Sequence, residues 1–200
     1  MKRIIVVCLL IFNFLVFYER EALSYSSDPE KFISEIVDEA KAILNDNISK
    51  EEKAKKLSEI ALNTVDIKGI GYYTLGNKRK ELSPDQIKKY EKLFEKYFLK
   101  SFTSRLTDYS DPKINVVSSE KLNEKYTIVK TLLLATQKKP EVKIDWRVYT
   151  INPEKPLIRD LIVEGLKLAR TQKEEFASIL SSNNNDINAL FSALESFINQ

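Results

Sequence analysis

The sequence contains no histidine, and its single cysteine is Cys8. Those two absences exclude a Ser-His-Asp triad, a Cys-His pair, a His- or Cys-based zinc site and a histidine-ligated haem. Only four glycines occur among 200 residues, which argues against a fold built on glycine-rich phosphate loops. No charge dominates either: 32 Lys and Arg face 29 Asp and Glu, a formal net charge of +3. A protein that tracks a phosphate backbone needs a clustered basic face, so nucleic acid is not expected as a partner. Lysine outnumbers arginine 25 to 7. With Ile and Asn also frequent, this reads as compositional bias, and no lysine gains a role merely from being present.

What the chain does have is an apolar share of 43% beside 30% charged residues, enough to fold as one globular domain. Lys2 and Arg3 precede an apolar run from Ile4 to Tyr18 that is broken only by Asn13. Fifteen helical residues reach roughly 22 Å, short of the ~30 Å hydrocarbon core of a bilayer. Small residues follow at Ala22-Leu23-Ser24 and Ser24-Tyr25-Ser26, so residues 1–26 are expected to be a cleaved signal peptide rather than a retained anchor. The remaining chain, 27–200, is then an exported single domain without cysteine or disulfides.

Along that domain the pattern runs from helices to strands and back to helices. Asp28-Pro29 pairs an N-cap with an N1 proline, and Ser49 with Glu52 forms a capping box. Ser83-Pro84-Asp85-Gln86 combines both signals and opens a helix of about 23 residues, with a stripe of aromatic and aliphatic side chains. Strands are expected over 113–119, 125–137 and 142–149, and a fourth over 157–168. Thr171 to Glu174 reads as the capping box of the next helix, and Asp186 as the cap of the last. The fold class is therefore α+β: one domain with several helices segregated to one side of an antiparallel sheet of about four strands.

Candidate chemistry is sparse. Gly71 to Lys78 nearly mimics a phosphate-binding loop, but Asn77 separates Gly76 from Lys78 and no Ser or Thr follows. A glycine-punctuated turn is expected there instead. Asp145, Asp160 and Glu164 fall on strands and are the acids that proton-transfer chemistry would use, yet no nucleophile accompanies them. No enzyme activity, metal or cofactor is expected. The apolar surplus of the long helix, the two-faced second strand and Trp146 suits a cavity for an apolar ligand.

The block Ile158 to Leu168, followed by Thr171, Glu175 and Phe176, resembles the Asp-Val-x-Val-Glu-Gly-Val-Ser-Leu strand and following helix of the MlaC family, the toluene-tolerance group of periplasmic phospholipid-binding proteins. Val65-Asp66, Leu75-Gly76 and Ser83 to Gln86 match that family's central region, and Phe94, Phe98 and Tyr109 fall where it keeps aromatics. The resemblance spans about residues 28–198. Departures are Lys167 in place of a small hydroxyl residue, Lys173 in place of Arg, and Pro156-Leu157 where a tryptophan usually precedes the strand.

What the resemblance implies is a twisted, cone-shaped α+β fold, nuclear-transport-factor-like, whose sheet and helices enclose an apolar lipid pocket. It further implies a soluble carrier of glycerophospholipid in the periplasm, maintaining outer-membrane lipid asymmetry in the Mla pathway of a Gram-negative cell. Its partners would be an outer-membrane lipoprotein–porin complex and an inner-membrane ABC transporter with a lipid-binding ring. The bound phospholipid would be cargo, and no cofactor is implied. On the inward faces the expected lipid contacts are Ile70 and Tyr73, then Phe94, Phe98 and Phe102 of the long helix. The sheet is expected to add Leu132, Leu134, Trp146 and Val148, with Leu161 and Val163 beside them, and the next helix Phe176. An exported protein-binding module and a hopanoid-related lipid-binding homologue remain as alternatives.

Overall fold

A computed structural model describes residues 25–108, 111–136, 140–152 and 154–200. Tyr109 and all of the expected leader except Tyr25 and Ser26 lie outside the described residues.

Side-chain caps set where most helices begin. Asp28 accepts the Lys31 N–H at 2.9 Å and starts α1 (Pro29–Asn45), whose buried face is Phe32, Ile33, Ile36, Val37 and Leu44. The Ser49–Glu52 capping box starts α2 (Lys50–Thr64), and the Ser83–Gln86 box starts α4 (Pro84–Leu106), 23 residues long. Between them the glycine-containing segment is a helix rather than the expected turn. Asp66 caps α3 (Ile67–Leu75) by accepting the Gly69 N–H at 2.9 Å, and Gly76, at φ 57°, ends it. Gly71 serves contact between helices: a Cβ there would lie 2.8 Å from Phe94 Cδ1, so α3 and α4 approach more closely than any side chain would allow. A 3₁₀ turn (Gly76–Glu81) links the two.

Five strands then form an antiparallel meander in sequence order: β1 (Ile114–Asn123), β2 (Tyr126–Leu133), β3 (Val142–Tyr149), β4 (Leu157–Val163) and β5 (Leu166–Lys167). The expected strand over 157–168 is thus two strands. Glu164 and Gly165, at φ 49° and 81°, make the two-residue turn between the Val163–Leu166 pair. Both central residues have positive φ, as a tight hairpin requires. Helix α5 (Leu168–Ser181) begins directly after β5. Thr171 lies inside its first turn and bonds the Lys167 carbonyl at 3.2 Å, so the capping box read at Thr171–Glu174 does not form. Asp186 caps α6 (Ile187–Asn199) as expected.

Two apolar cores result. One face of the sheet, carrying Val129, Val148 and Ile158, packs on Phe32, Ile33, Val37, Leu57 and Ile60 of α1 and α2. The other core is purely helical, formed by α3 to α6 around Tyr90, Phe94, Phe176, Leu190 and Leu194. Val65, at the end of α2, packs against both. Its parallel bridge to Ile158, and the Asp66 N–H to Ile158 carbonyl bond of 2.9 Å, fix α3 beside the free edge of β4.

Candidate functional site

Anchoring α3 at the β4 edge opens a cleft of about 490 Å³, within the roughly 300–1,000 Å³ of small-molecule sites. Its walls are Gly69, Ile70, Tyr72 and Tyr73 of α3, with Arg79 from the 3₁₀ turn. The sheet contributes Tyr126, Arg147, Arg159 and Asp160, and the β5–α5 junction adds Lys167, Ala169 and Arg170.

A β-bulge brings the two sheet arginines together. Arg147 pairs with Asp160 but the next residue, Val148, pairs with Ile158, so Arg159 is the extra residue of β4. Its Nε donates to Asp66 Oδ2 at 2.6 Å and its Nη1 to the Tyr126 hydroxyl at 3.3 Å. The Arg159 guanidinium lies 3.6 Å from the centre of the Tyr149 ring, and that of Arg147 lies 3.9 Å from the centre of Tyr126. Arg79 rests 4.7 Å over Tyr72, and Lys173 Nζ lies 5.1 Å over Tyr73. Each stacked pair is favourable by about 0.5–2 kcal/mol, and in the arginine pairs the ring sets the guanidinium plane. Arg147 Nε is buried without a hydrogen-bond partner, a state that costs about 1–3 kcal/mol.

Asp160 is only 7% exposed, and its Oδ1 accepts the Ala169 N–H at 3.0 Å. A carboxylate reaching across from β4 therefore caps α5, which has no cap of its own. Burial pushes the Asp160 carboxyl above its ordinary value, opposed by the Ala169 and Leu161 N–H groups and by the charges of Arg147 and Lys167. The Asp160 Oδ1 is thus committed to the start of α5. Glu164 sits exposed in the hairpin turn, its carboxylate bonded to the Lys143 N–H. Among the described residues no group of three or more carboxylates or thiols is placed to hold a metal, and no helix is long and apolar enough to cross a membrane.

The lipid-contact residues expected from sequence fall into separate places. Ile70 and Tyr73 line the cleft. Phe94 and Phe176 are 2% exposed in the helical core, edge to face at 6.2 Å. Phe98 is half-buried at that core's margin and Phe102 stacks on it at 6.0 Å. Val148 is fully buried in the sheet core, with Trp146 and Leu161 at its margin. Val163, paired with Ile144, lies on the same sheet face as Trp146 and Leu161.

Leu132 does not join them. The buried phase of β2 is Val129, Thr131 and Leu133, and Trp146 faces Val129, with its Nε1 donating to Thr131 Oγ1 at 2.9 Å. Leu132 pairs with Lys143 on the opposite face, and Leu134 lies just past the end of β2. A strand apolar on both faces carries no phase in its sequence, and choosing the even residues put these two beside the wrong neighbours. The arginines of the cleft were missed as well. Four of the chain's seven arginines line this one cleft, and nothing in their spacing along the chain brings them together.

The model of the MlaC protein family matches residues 34–196. This chain belongs to the MlaC family. Among solved structures it is similar to a phospholipid-binding protein from Ralstonia solanacearum, determined in complex with a phospholipid. The two share 17% identity at a TM-score of 0.74, over 86% of this chain and 98% of that one, which shows a common fold. Among curated proteins, no match is found. The MlaC-family fold thus agrees with the α+β architecture expected from sequence, with five strands in place of about four.

Proposed function

We propose that this MlaC-family chain carries glycerophospholipid through the periplasm between the outer and inner membranes. The observation that carries the reading is the family match over residues 34–196, joined to a fold shared with a phospholipid-bound protein along 98% of that protein's length. Each acyl methylene in water costs about 0.8 kcal/mol, so one sixteen-carbon chain costs on the order of 12 kcal/mol. A carrier lowers that cost by presenting an apolar lining along the way, and it needs no catalytic group to do so. In this reading the acyl chains enter where the two cores adjoin, along Phe98 and Phe102 of α4 and Trp146 and Leu161 of the sheet, all half-buried. Donor and acceptor would be an outer-membrane lipoprotein–porin complex and the lipid-binding ring of an inner-membrane ABC transporter.

The test is native mass spectrometry of the exported chain, expressed as residues 1–200 and purified without detergent from a Gram-negative periplasm, followed by lipid extraction. A co-purifying mass of one phospholipid, released by organic solvent, is the expected result. An apo mass that persists after incubation with phospholipid vesicles would overturn the reading and favour an exported protein-binding module.

A further inference from the structure

We propose that the cleft between β4, α3 and α5 is a binding site for a phosphate ester anion, with Arg147 as its central donor. Five cationic side chains line it, Arg79, Arg147, Arg159, Lys167 and Arg170, against the single carboxylate of Asp160. Two of the five have partners elsewhere: Arg159 pairs with Asp66 at 2.6 Å and Arg170 with Glu174 at 2.9 Å. Among the described residues no carboxylate lies within ion-pair distance of Arg79, Arg147 or Lys167. The cleft therefore holds uncompensated positive charge, and a buried guanidinium N–H with nothing to bond.

The choice of residue is as informative as the charge. The chain has 25 lysines and 7 arginines, yet arginine supplies four of the five cleft cations. Lysine serves as well as arginine for general solvation. Arginine differs in its planar fork, which donates two parallel N–H bonds to phosphate oxygens, and in its capacity to stack on tyrosine. Arg147 and Arg79 are both stacked, on Tyr126 and Tyr72, so both planes are set before any ligand arrives. A concave site of about 490 Å³ suits one compact anionic group and not an extended polymer.

Two sources supply that chemistry, an anionic phospholipid headgroup and free phosphate. The headgroup source rests on the carrier reading above; phosphate binding does not. Vesicles of equimolar phosphatidylglycerol and phosphatidylethanolamine, which differ in net headgroup charge, are incubated with the mature chain, and bound lipid is quantified by mass spectrometry. Phosphatidylglycerol is expected at about fivefold over phosphatidylethanolamine, falling to near parity in Arg147→Gln with total lipid unchanged. Because Arg147 is half-buried, Arg79→Gln/Arg170→Gln, at two exposed positions, is run beside it and is expected to lower the ratio in the same direction. In a parallel arm, inorganic phosphate is titrated against the arginine Nε–H resonances of lipid-free protein. Phosphate-dependent shifts that vanish in Arg147→Gln, without lipid selectivity, would assign the site to free phosphate. Equal uptake of both lipids together with no phosphate-dependent shift would overturn the proposal and leave the carrier standing. Failure to take up either lipid would remove the carrier reading while the phosphate arm still decides the cleft.

Discussion

Arg147 lies directly across the β3–β4 ladder from Asp160, yet the two side chains face different partners. The carboxylate turns to the Ala169 N–H at 3.0 Å, and the guanidinium lies 3.9 Å above Tyr126. Asp160 thereby joins the sheet to the start of α5, and Arg147 is left with its Nε unbonded.

Loss of that link is measurable. Asp160→Ala removes the acceptor for the first turn of α5 and is expected to destabilise the fold by about 1–2 kcal/mol in urea at pH 7. Asp160→Asn keeps an acceptor oxygen and is expected to cost less. An equal loss in both variants would show that the cap is not the stabilising contact.

The pH dependence follows from the same group. Burial places the folded carboxyl above its ordinary value of 3.8, so folding takes up protons between that value and the raised one. The contribution of Asp160 is then most favourable below the unfolded pKa and declines as pH rises through the folded one. Relative to Asp160→Asn, the wild type is expected to lose stability on going from pH 4 to pH 7. A gap between the two that widens in the opposite direction would contradict the assignment.

Gly71 tests the approach of α3 to α4. Gly71→Ala places a Cβ 2.8 Å from Phe94 Cδ1 and is expected to cost about 1–3 kcal/mol, although alanine is the better helix former. Gly165→Ala meets no atom within 4 Å and its cost is conformational, about 1–2 kcal/mol from its φ of 81°. Urea melts of both, with crystal structures of the variants, separate the two causes. An α3 unmoved in Gly71→Ala would be evidence against the contact.

Lipid uptake distinguishes the two faces of the sheet. Phe102→Asp, at a half-buried position, is expected to reduce bound phospholipid while the chain stays folded. Leu132→Asp, on the face away from Trp146, is expected to leave it unchanged. Val148→Asp buries an unpaired charge at a fully buried position and is expected to prevent folding. Retained lipid in a folded Phe102→Asp would exclude the proposed path of the acyl chains.

Tyr25 bears on where the leader ends. Its ring packs edge-on to Phe32 at 5.8 Å, and its hydroxyl bonds Glu39. Cleavage after Ser24 keeps this contact and cleavage after Ser26 removes it. N-terminal sequencing of the exported protein is expected to begin at Tyr25; a start at Ser27 would show that the contact is dispensable.

The elements were legible wherever a local interaction sets them. Asp28, Ser49, Ser83 and Asp186 each start a helix through a bond to an N–H two or three residues on, and a local pattern of that kind is written in the chain. Alternation revealed β3 because one of its faces is apolar and the other charged. In sequence the α3 segment reads as a turn because glycine weakens helices in isolation, and only contact with Phe94 explains Gly71 there. Local pattern puts the start of α5 too late because its cap lies on β4, nine residues away along the chain from Ala169.

The sequence by itself determined the fold class, four helix starts, the two-residue periodicity of the sheet and the family resemblance, since each rests on near-neighbour spacing or on ordered blocks along the chain. Only the tertiary structure decided which phase of β2 faces the helices, that the expected lipid contacts divide between two cores, and that Arg79, Arg147, Arg159 and Arg170 share one cleft. Those outcomes depend on strand register, on a bulge at Arg159 and on the bridge from Val65 to Ile158. Each sums packing over residues far apart in the chain, and no local spacing encodes such a sum.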